Sequence, residues 1–213
     1  MQGGWRRRQV ILEHMKNGER TAYKVFPGDW PSIESKKCIP KLPVAWLLQG
    51  TQQRRNSTMT SYWLMKSEPS ECSVDDALAA KNSTVPWIGV RNYQARNFMR
   101  DHMKPGDGVL FYHSSCEEPG IVGIAEVAST SYPDPTQFDA KSHYHDPKSK
   151  PEEPRWHLVD VRVVRKTRNL TLSELRTTPE LEGLTILKKG NRLSITPVEP
   201  QHWRQISKLL DKP

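Results

Sequence analysis

The stretch of sequence that most restricts the fold runs from residue 62 to residue 97. Residues 62–65 form an apolar run typical of a strand, and Ser73 is placed to cap a short helix that carries an acid at its third position. Trp87 and a strand-to-helix turn at residues 89–92 follow. Short strands separated by short helices, without regular βαβ alternation, predict an α+β domain around a curved or closed sheet.

The rest of the chain continues this pattern of short elements. Asn92 is placed to cap a second helix that extends to about residue 103, with Ala95, Phe98, Met99 and His102 on one face. Further strands are predicted at residues 108–113, 121–127, 156–165 and 193–197, and further helices begin after Thr171 and at Pro200.

The connection from residue 132 to residue 154 is long, polar and proline-rich. Loops of more than about 15 residues in a compact domain are usually functional or disordered, so we expect one or the other here. His143, His145 and Asp146 suggest a metal site, but the two imidazoles share a side only if the segment is extended, and no third ligand is evident. We therefore predict no metal and no cofactor.

Residues 1–58 differ from the rest of the chain in charge. They contain 11 Lys and Arg against 4 Asp and Glu, so they account for 11 − 4 = +7 of the net charge of +8 that the whole chain has. Four prolines interrupt this extension, which shows no sustained helical periodicity. We expect it to be disordered or absent from the native protein, with translation beginning at Met59, and we predict one domain over residues 59–213. A transit peptide or a basic nucleic-acid arm is the alternative.

Cysteine content and apolar runs indicate the compartment. Cys38, Cys72 and Cys116 are an odd number at wide spacing with no CxxC pair, which fits a reducing compartment and excludes a zinc site of several thiolates. The apolar run at residues 44–48 is too short and too late for a secretory signal or a membrane span. We expect a cytoplasmic protein with no membrane partner, and the sequence does not indicate its oligomeric state.

Six motifs occur in order from residue 62 onward. They are YWLMKSEP at residues 62–69, WIGVRNYQARN at 87–97, FYHS at 111–114, GIVGIA at 120–125, PRW at 154–156 and GNRLS at 190–194. In that order they resemble the EVE-domain family of PUA-like proteins, from about residue 62 to the C-terminus. The resemblance implies an α+β fold built as a PUA-like mixed β-barrel flanked by short helices.

Residues 66–96 include the residue types that a base-binding pocket requires. A nucleobase lifted from its stack loses roughly a few kcal/mol, which an aromatic face and hydrogen bonds to the base edge must return. Trp87 is the predicted stacking wall, and we expect Trp87→Ala to weaken binding while the fold survives; the alternative is that Trp87 only fills the core. A similar Lys-Ser segment precedes a cage tryptophan in the YTH readers of the wider PUA-like superfamily. That resemblance implies Lys66 near a phosphate and Ser67 at the pocket edge.

Other side chains complete the predicted site, and several have a purely structural alternative. Asn92 offers a donor and an acceptor to a base edge but is also a preferred helix cap. His113 ends a strand, where it either reads a base edge or makes its hydrogen bonds within the protein at the rim of the barrel. Arg91 and Arg96 bind phosphate or belong to a solvated helix face. The further nucleobase candidates are Tyr93, Tyr112, Ser114, Tyr144, Trp156 and Ser194.

The sequence thus predicts a non-enzymatic reader that binds a modified nucleobase, a modified cytosine in particular, in DNA or RNA. It contains no P-loop, GxGxxG or GxSxG motif, so nucleotide hydrolysis, dinucleotide binding and α/β-hydrolase chemistry have no motif here. The alternative is an RNA- or base-processing hydrolase that uses Cys116 and His113, since Cys-His pairs supply nucleophiles in other folds. A third hypothesis is a protein-interaction module.

Overall fold

The computed structural model describes residues 10–16, 19–25 and 60–211. The first two ranges are antiparallel strands, β1 (Val10–Lys16) and β2 (Glu19–Val25), which the sequence did not predict. The prediction that residues 1–58 are disordered or absent from the native protein otherwise lies outside the described residues. A separate compact unit comprises Arg55–Pro213.

The elements of this second unit are short. Its strands are β3 (Tyr62–Ser67), β4 (Thr84–Pro86), β5 (Gly108–His113), β6 (Gly120–Val127), β7 (Tyr132–Pro133), β8 (His157–Leu158), β9 (Asp160–Thr171) and β10 (Ile195–Val198). Its α-helices are α1 (Val74–Ala79), α2 (Tyr93–Asn97), α3 (Leu172–Thr177) and α4 (Pro200–Leu210). A π-helical turn at Phe98–His102 extends α2. None of the helices in the described residues is long and apolar enough to cross a membrane.

A six-stranded mixed sheet forms the centre of this unit. Its strand order is β10-β3-β5-β6-β9-β4, and every neighbouring pair is antiparallel except β3 and β5. The parallel pairing sets Lys66 beside Tyr112 and Ser67 beside His113, so the polar ends of both strands meet at one edge of the sheet. The predicted α+β class, with short helices flanking a mixed sheet, is confirmed.

The two faces of the sheet belong to different hydrophobic cores, because successive side chains of a strand point to opposite sides. Trp63, Met65 and Phe111 pack in one core together with side chains of α1 and α2. Leu64 and Leu110, their neighbours along β3 and β5, pack in a second core with α3 and α4. The first core adjoins the candidate site, since Trp87 and Val90 belong both to this core and to the lining of the site.

The second predicted helix departs from expectation in its last turn. Ala95 and Met99 are buried, as the helical period predicts, but the chain then widens into the π-turn. The wider turn leaves His102 exposed and buries Met103 instead. The predicted strand at residues 156–165 is divided into β8 and a longer β9, and β4 was not predicted at all.

Candidate functional site

An open cavity of about 720 Å³ lies where the ends of β3 and β5 meet four loops. These loops are the connection between β3 and α1, the turn after β4, the long connection between β7 and β8, and the segment before β10. A volume of this size is typical of small-ligand sites. The predicted site residues that line the cavity are Lys66, Ser67, Trp87, Arg91, Ser114, Tyr144 and Ser194.

The turn after β4 is fixed by hydrogen bonds at three successive residues. Trp87 N–H donates to a carbonyl at the β8–β9 junction (3.0 Å), and Ile88 N–H donates to the Pro86 carbonyl (3.0 Å). Gly89 N–H donates to the Asp134 carboxylate (3.0 Å). Gly89 has a φ of +81°, a left-handed conformation that favours glycine. The turn is therefore held at each position along one side of the cavity.

Trp87 belongs both to the first core and to the cavity wall. Only 7% of its surface is exposed, and its ring meets Phe111 edge-on, with the centroids 5.2 Å apart and the planes at 78°. Trp87 therefore fills the core, as the alternative stated, and also lines the cavity. This burial is at odds with the expectation that Trp87→Ala would leave the fold intact, because truncating a buried tryptophan creates a cavity.

Tyr144 packs directly on Gly89. A Cβ atom at Gly89 would lie 2.5 Å from Cζ of the Tyr144 ring, closer than any side chain allows. The Tyr144 hydroxyl donates a hydrogen bond to the Glu71 carboxylate, which also lines the cavity. Burial, and then this hydrogen bond, raise the pKa of Tyr144 to about 12, so the hydroxyl keeps its proton at neutral pH. Tyr144 is therefore a fixed aromatic wall with a permanent donor.

Arg91 anchors the long loop. Its Nε donates to the Tyr144 carbonyl (2.8 Å), and Nη1 donates to the Asp134 carboxylate (2.8 Å) and the Val90 carbonyl (3.2 Å). Nη2 donates to the Thr136 hydroxyl (2.9 Å) and again to the Tyr144 carbonyl. A guanidinium has five N–H donors. The predicted phosphate contact would require one of these bonds to break, so the structure gives Arg91 a positioning role instead.

Two buried polar side chains complete the anchoring of the loop. The Asp134 carboxylate accepts from Gly89, Arg91 and both the backbone and hydroxyl of Thr136. Burial acts to raise the pKa of Asp134, but the hydrogen bonds from Arg91, Thr136 and Gly89 outweigh it and hold the pKa below its ordinary value. Gln137 is buried, and its amide makes four hydrogen bonds to backbone groups of Asp134, Arg155 and Trp156. The long connection is ordered by these contacts and supplies one wall of the cavity.

Backbone hydrogen bonds join the polar residues at the sheet edge. Lys66 N–H donates to the Ser194 carbonyl (2.8 Å), and Ser114 N–H donates to the Ser67 carbonyl (2.9 Å). The Ser67 hydroxyl donates to the Cys72 carbonyl (2.6 Å). Burial lowers the pKa of Lys66. Segments distant in the sequence are thus held side by side in the cavity.

Sequence reasoning missed three charged residues that line the cavity: Glu68, Glu71 and Arg192. All three lie in or beside motifs already singled out, since Glu68 belongs to residues 62–69 and Arg192 to residues 190–194. Treating each motif as one lining segment would have found Glu68 and Arg192. Within residues 60–211, neither Lys66 nor Arg192 has an acidic partner for its side chain.

Four other predicted residues lie outside the cavity lining. The Asn92 side chain caps α2, since its Oδ1 accepts from the N–H groups of Gln94 (2.9 Å) and Ala95 (3.0 Å). Asn92 therefore has the role of helix cap, which was the structural alternative for this residue. The other three form a group of their own: the Tyr93 ring stacks on Trp156 with the centroids 4.9 Å apart, and Cζ of Arg96 lies 4.9 Å from the Tyr93 centroid. The structure does not bring this group into the cavity.

Tyr112 and His113 are also directed elsewhere. Tyr112 packs in the second core because it neighbours Phe111, which occupies the first. His113 Nε2 accepts a hydrogen bond from Val74 N–H (3.1 Å), and burial lowers the pKa of His113, so the ring is neutral at pH 7. Within residues 60–211, no hydrogen bond joins Cys116 to His113. The hydrolase alternative therefore lacks its nucleophile–base pair in this structure.

Of the two histidines in the long loop, His143 lines the cavity and His145 does not. In the part of the chain that the structure describes, no three His, Cys, Asp or Glu side chains are grouped to hold a metal ion. The absence of a metal site stays a prediction for the chain as a whole.

Comparison with known proteins places this chain in a family. The EVE domain model matches residues 61–209, and the chain therefore belongs to the EVE-domain family, as the motif resemblance predicted. It is similar to human thymocyte nuclear protein 1, with 38% identity over 183 residues that cover 77% of this chain and 81% of that protein. A structure of human THYN1 in complex with DNA containing 5-methylcytosine matches with 40% identity and a TM-score of 0.67, covering 72% and 99% of the two chains. A protein from Pseudomonas putida matches with 48% identity and a TM-score of 0.66, covering 70% and 98%.

Proposed function

We propose that this protein is a non-enzymatic reader that binds a modified nucleobase, 5-methylcytosine in particular, in the cavity beside Trp87 and Tyr144. The observation that carries the proposal is the presence, in one cavity, of these two aromatic side chains and two cations without acidic partners in residues 60–211, Lys66 and Arg192. Aromatic faces stack on an extruded base, and cations contact its phosphates. A cavity that offers both an aromatic face and a cation can bind the base and the phosphate of one nucleotide.

The relatives support the same ligand class. Human THYN1 is in complex with DNA that contains 5-methylcytosine in its solved structure. The match to this chain, at 40% identity, covers 99% of the THYN1 chain in that structure. The cavity of this chain is built from the motifs that carry the family resemblance, at residues 62–69, 87–97 and 190–194. We therefore extend the binding of a modified base in a nucleic acid to this protein.

The acidic side chains of the cavity favour cytosine over thymine. The carboxylates of Glu68 and Glu71 only accept hydrogen bonds, and cytosine offers its exocyclic amine as a donor. Thymine carries the same methyl group as 5-methylcytosine but presents a carbonyl oxygen where cytosine has the amine. A carboxylate beside that position binds the amine and repels the carbonyl. Glu71 is the better candidate, because Tyr144 holds its carboxylate in place.

The proposal is tested by titrating the full chain with single-stranded oligonucleotides that carry one central 5-methylcytosine, cytosine or thymine between identical flanks. We expect 5-methylcytosine to bind tightest. The preference over thymine should be about 5- to 150-fold, the worth of one good polar contact to a base edge. Parallel DNA and RNA series will show which nucleic acid is preferred. Equal affinity for all three bases would refute base reading in the cavity.

The role of Glu71 is tested in the same titrations. Glu71→Gln keeps the size of the side chain and an acceptor for Tyr144 but adds an amide donor, so the preference for 5-methylcytosine over thymine should fall. Glu180→Gln serves as the control, since Glu180 is exposed and does not line the cavity. An unchanged preference in Glu71→Gln would assign discrimination to other groups of the cavity.

A further inference from the structure

One exposed apolar side chain lies at the cavity. Four large apolar or aromatic side chains are well exposed within residues 60–211, namely Ile88 (45%), Tyr93 (52%), Phe138 (37%) and Val164 (57%). Single exposed apolar residues are common on protein surfaces, so exposure alone indicates nothing. Ile88 is the one of these four that lines the cavity.

Ile88 is also held rigidly. Its own N–H and those of the residues on either side are all hydrogen-bonded, to Pro86, to the β8–β9 junction and to Asp134. Isoleucine is branched at Cβ and has little freedom about χ1. The next residue, Gly89, is fixed under the Tyr144 ring. An apolar side chain is thus presented outward from a turn that cannot easily move, which lowers the entropic cost of inserting it into a partner.

The neighbouring residue, Trp87, is more deeply buried than Ile88. Trp87 is almost completely buried and lines the cavity, while Ile88 is half exposed at the same cavity. Lys66 and Arg192 add two cations to this lining. The lining around Ile88 therefore combines an apolar tip with two cations that have no acidic partner in residues 60–211, which suits the bases and phosphates of a nucleic acid, and Glu68 and Glu71 add two acids to the same lining.

We propose that Ile88 is a wedge that enters the space left in a double helix when the target base leaves its stack for the cavity. This inference rests on the proposed function. An extruded base leaves the faces of its neighbours exposed to water, and isoleucine is among the apolar side chains that proteins insert between base steps. The ligand class that follows is a duplex containing the modified base, rather than only a single strand.

The test compares one target in two forms, using the full chain. A strand with a central 5-methylcytosine is titrated alone and after annealing to its complement. Ile88→Ala should lower the affinity for the duplex about tenfold, because the lost carbons no longer cover the neighbouring bases. The affinity for the single strand should change by less than about twofold, since no stack has to be opened. The melting temperature should be unchanged, because Ile88 is outside both cores.

Val164→Ala is the matched control, since Val164 is more exposed than Ile88 and does not line the cavity. Neither affinity should change in this variant. An equal loss for duplex and single strand in Ile88→Ala would overturn the wedge and place Ile88 against the target base itself. No loss for either form would also overturn it. If the wild-type chain fails to prefer 5-methylcytosine over cytosine in the single strand, the proposed function fails, and the wedge fails with it.

Discussion

Gly89→Ala should weaken binding of the modified base while leaving the domain folded. A methyl group at this position would lie 2.5 Å from the Tyr144 ring, so the ring has to move away from the cavity wall. If Tyr144 stacks on the bound base, its displacement should lower the affinity for a 5-methylcytosine oligonucleotide about 5- to 150-fold, the worth of one base–aromatic stack. The affinity is measured by titration and the folding by thermal melting.

Gly106→Ala separates this effect from backbone strain. Gly106 has a φ of +90°, close to the +81° of Gly89, but no neighbouring atom lies within 4 Å of the position where a Cβ would be added. Both variants should lose about 1–2 kcal/mol of stability, because a side chain is strained in this conformation. Only Gly89→Ala should lose binding. Full affinity in Gly89→Ala would show that Tyr144 does not support the bound base.

Trp87→Ala should lower the free energy of unfolding by about 3–5 kcal/mol, the usual cost of truncating a buried tryptophan. The side chain is 7% exposed and packs against Phe111 in the first core. Chemical denaturation measures the loss. An unfolding free energy within about 1 kcal/mol of wild type would contradict the burial.

Trp87→Phe is therefore the better variant for binding. It keeps an aromatic ring in the core and a smaller face toward the cavity. We expect it to retain most of the stability and to bind 5-methylcytosine more weakly than wild type. Unchanged binding in a folded Trp87→Phe variant would indicate that the indole is a core residue whose face the base does not need.

The sequence predicted the elements better than the site. Capping residues are local signals, so Ser73, Asn92 and Thr171 correctly marked the beginnings of three helices. The π-turn after α2 was not predictable from a regular helical period, and β4 is too short to give a pattern. Local chemistry thus set the ends of elements, whereas irregular turns depended on tertiary packing.

The site predictions failed where they ignored strand alternation. Phe111, Tyr112 and His113 are consecutive, so Tyr112 cannot share a face with its two neighbours. The prediction took residues 112–114 together as the polar end of a strand, which placed Tyr112 in a cavity on the opposite side of the sheet from its actual core. Alternation within a predicted strand would have removed it from the site.

The position of the long loop could not be read from the sequence. Arg91 contacts Asp134 and Tyr144, which lie 43 and 53 residues further along the chain. An arginine in a basic motif fits a phosphate contact equally well until those partners are known. The same applies to Tyr93 and Trp156, whose stacking joins residues far apart in the chain and keeps both outside the cavity.

Photo-crosslinking tests whether the modified base enters the cavity between Trp87 and Tyr144. A single-stranded oligonucleotide with one 5-iodocytosine, whose iodine takes the place of the methyl group, is bound to the full chain and irradiated. The crosslinked peptide is then identified by mass spectrometry. We predict a crosslink to Trp87 or Tyr144. A crosslink to Tyr93 or Trp156, the stacked pair outside the cavity, would show that the base binds elsewhere and would overturn the proposed site.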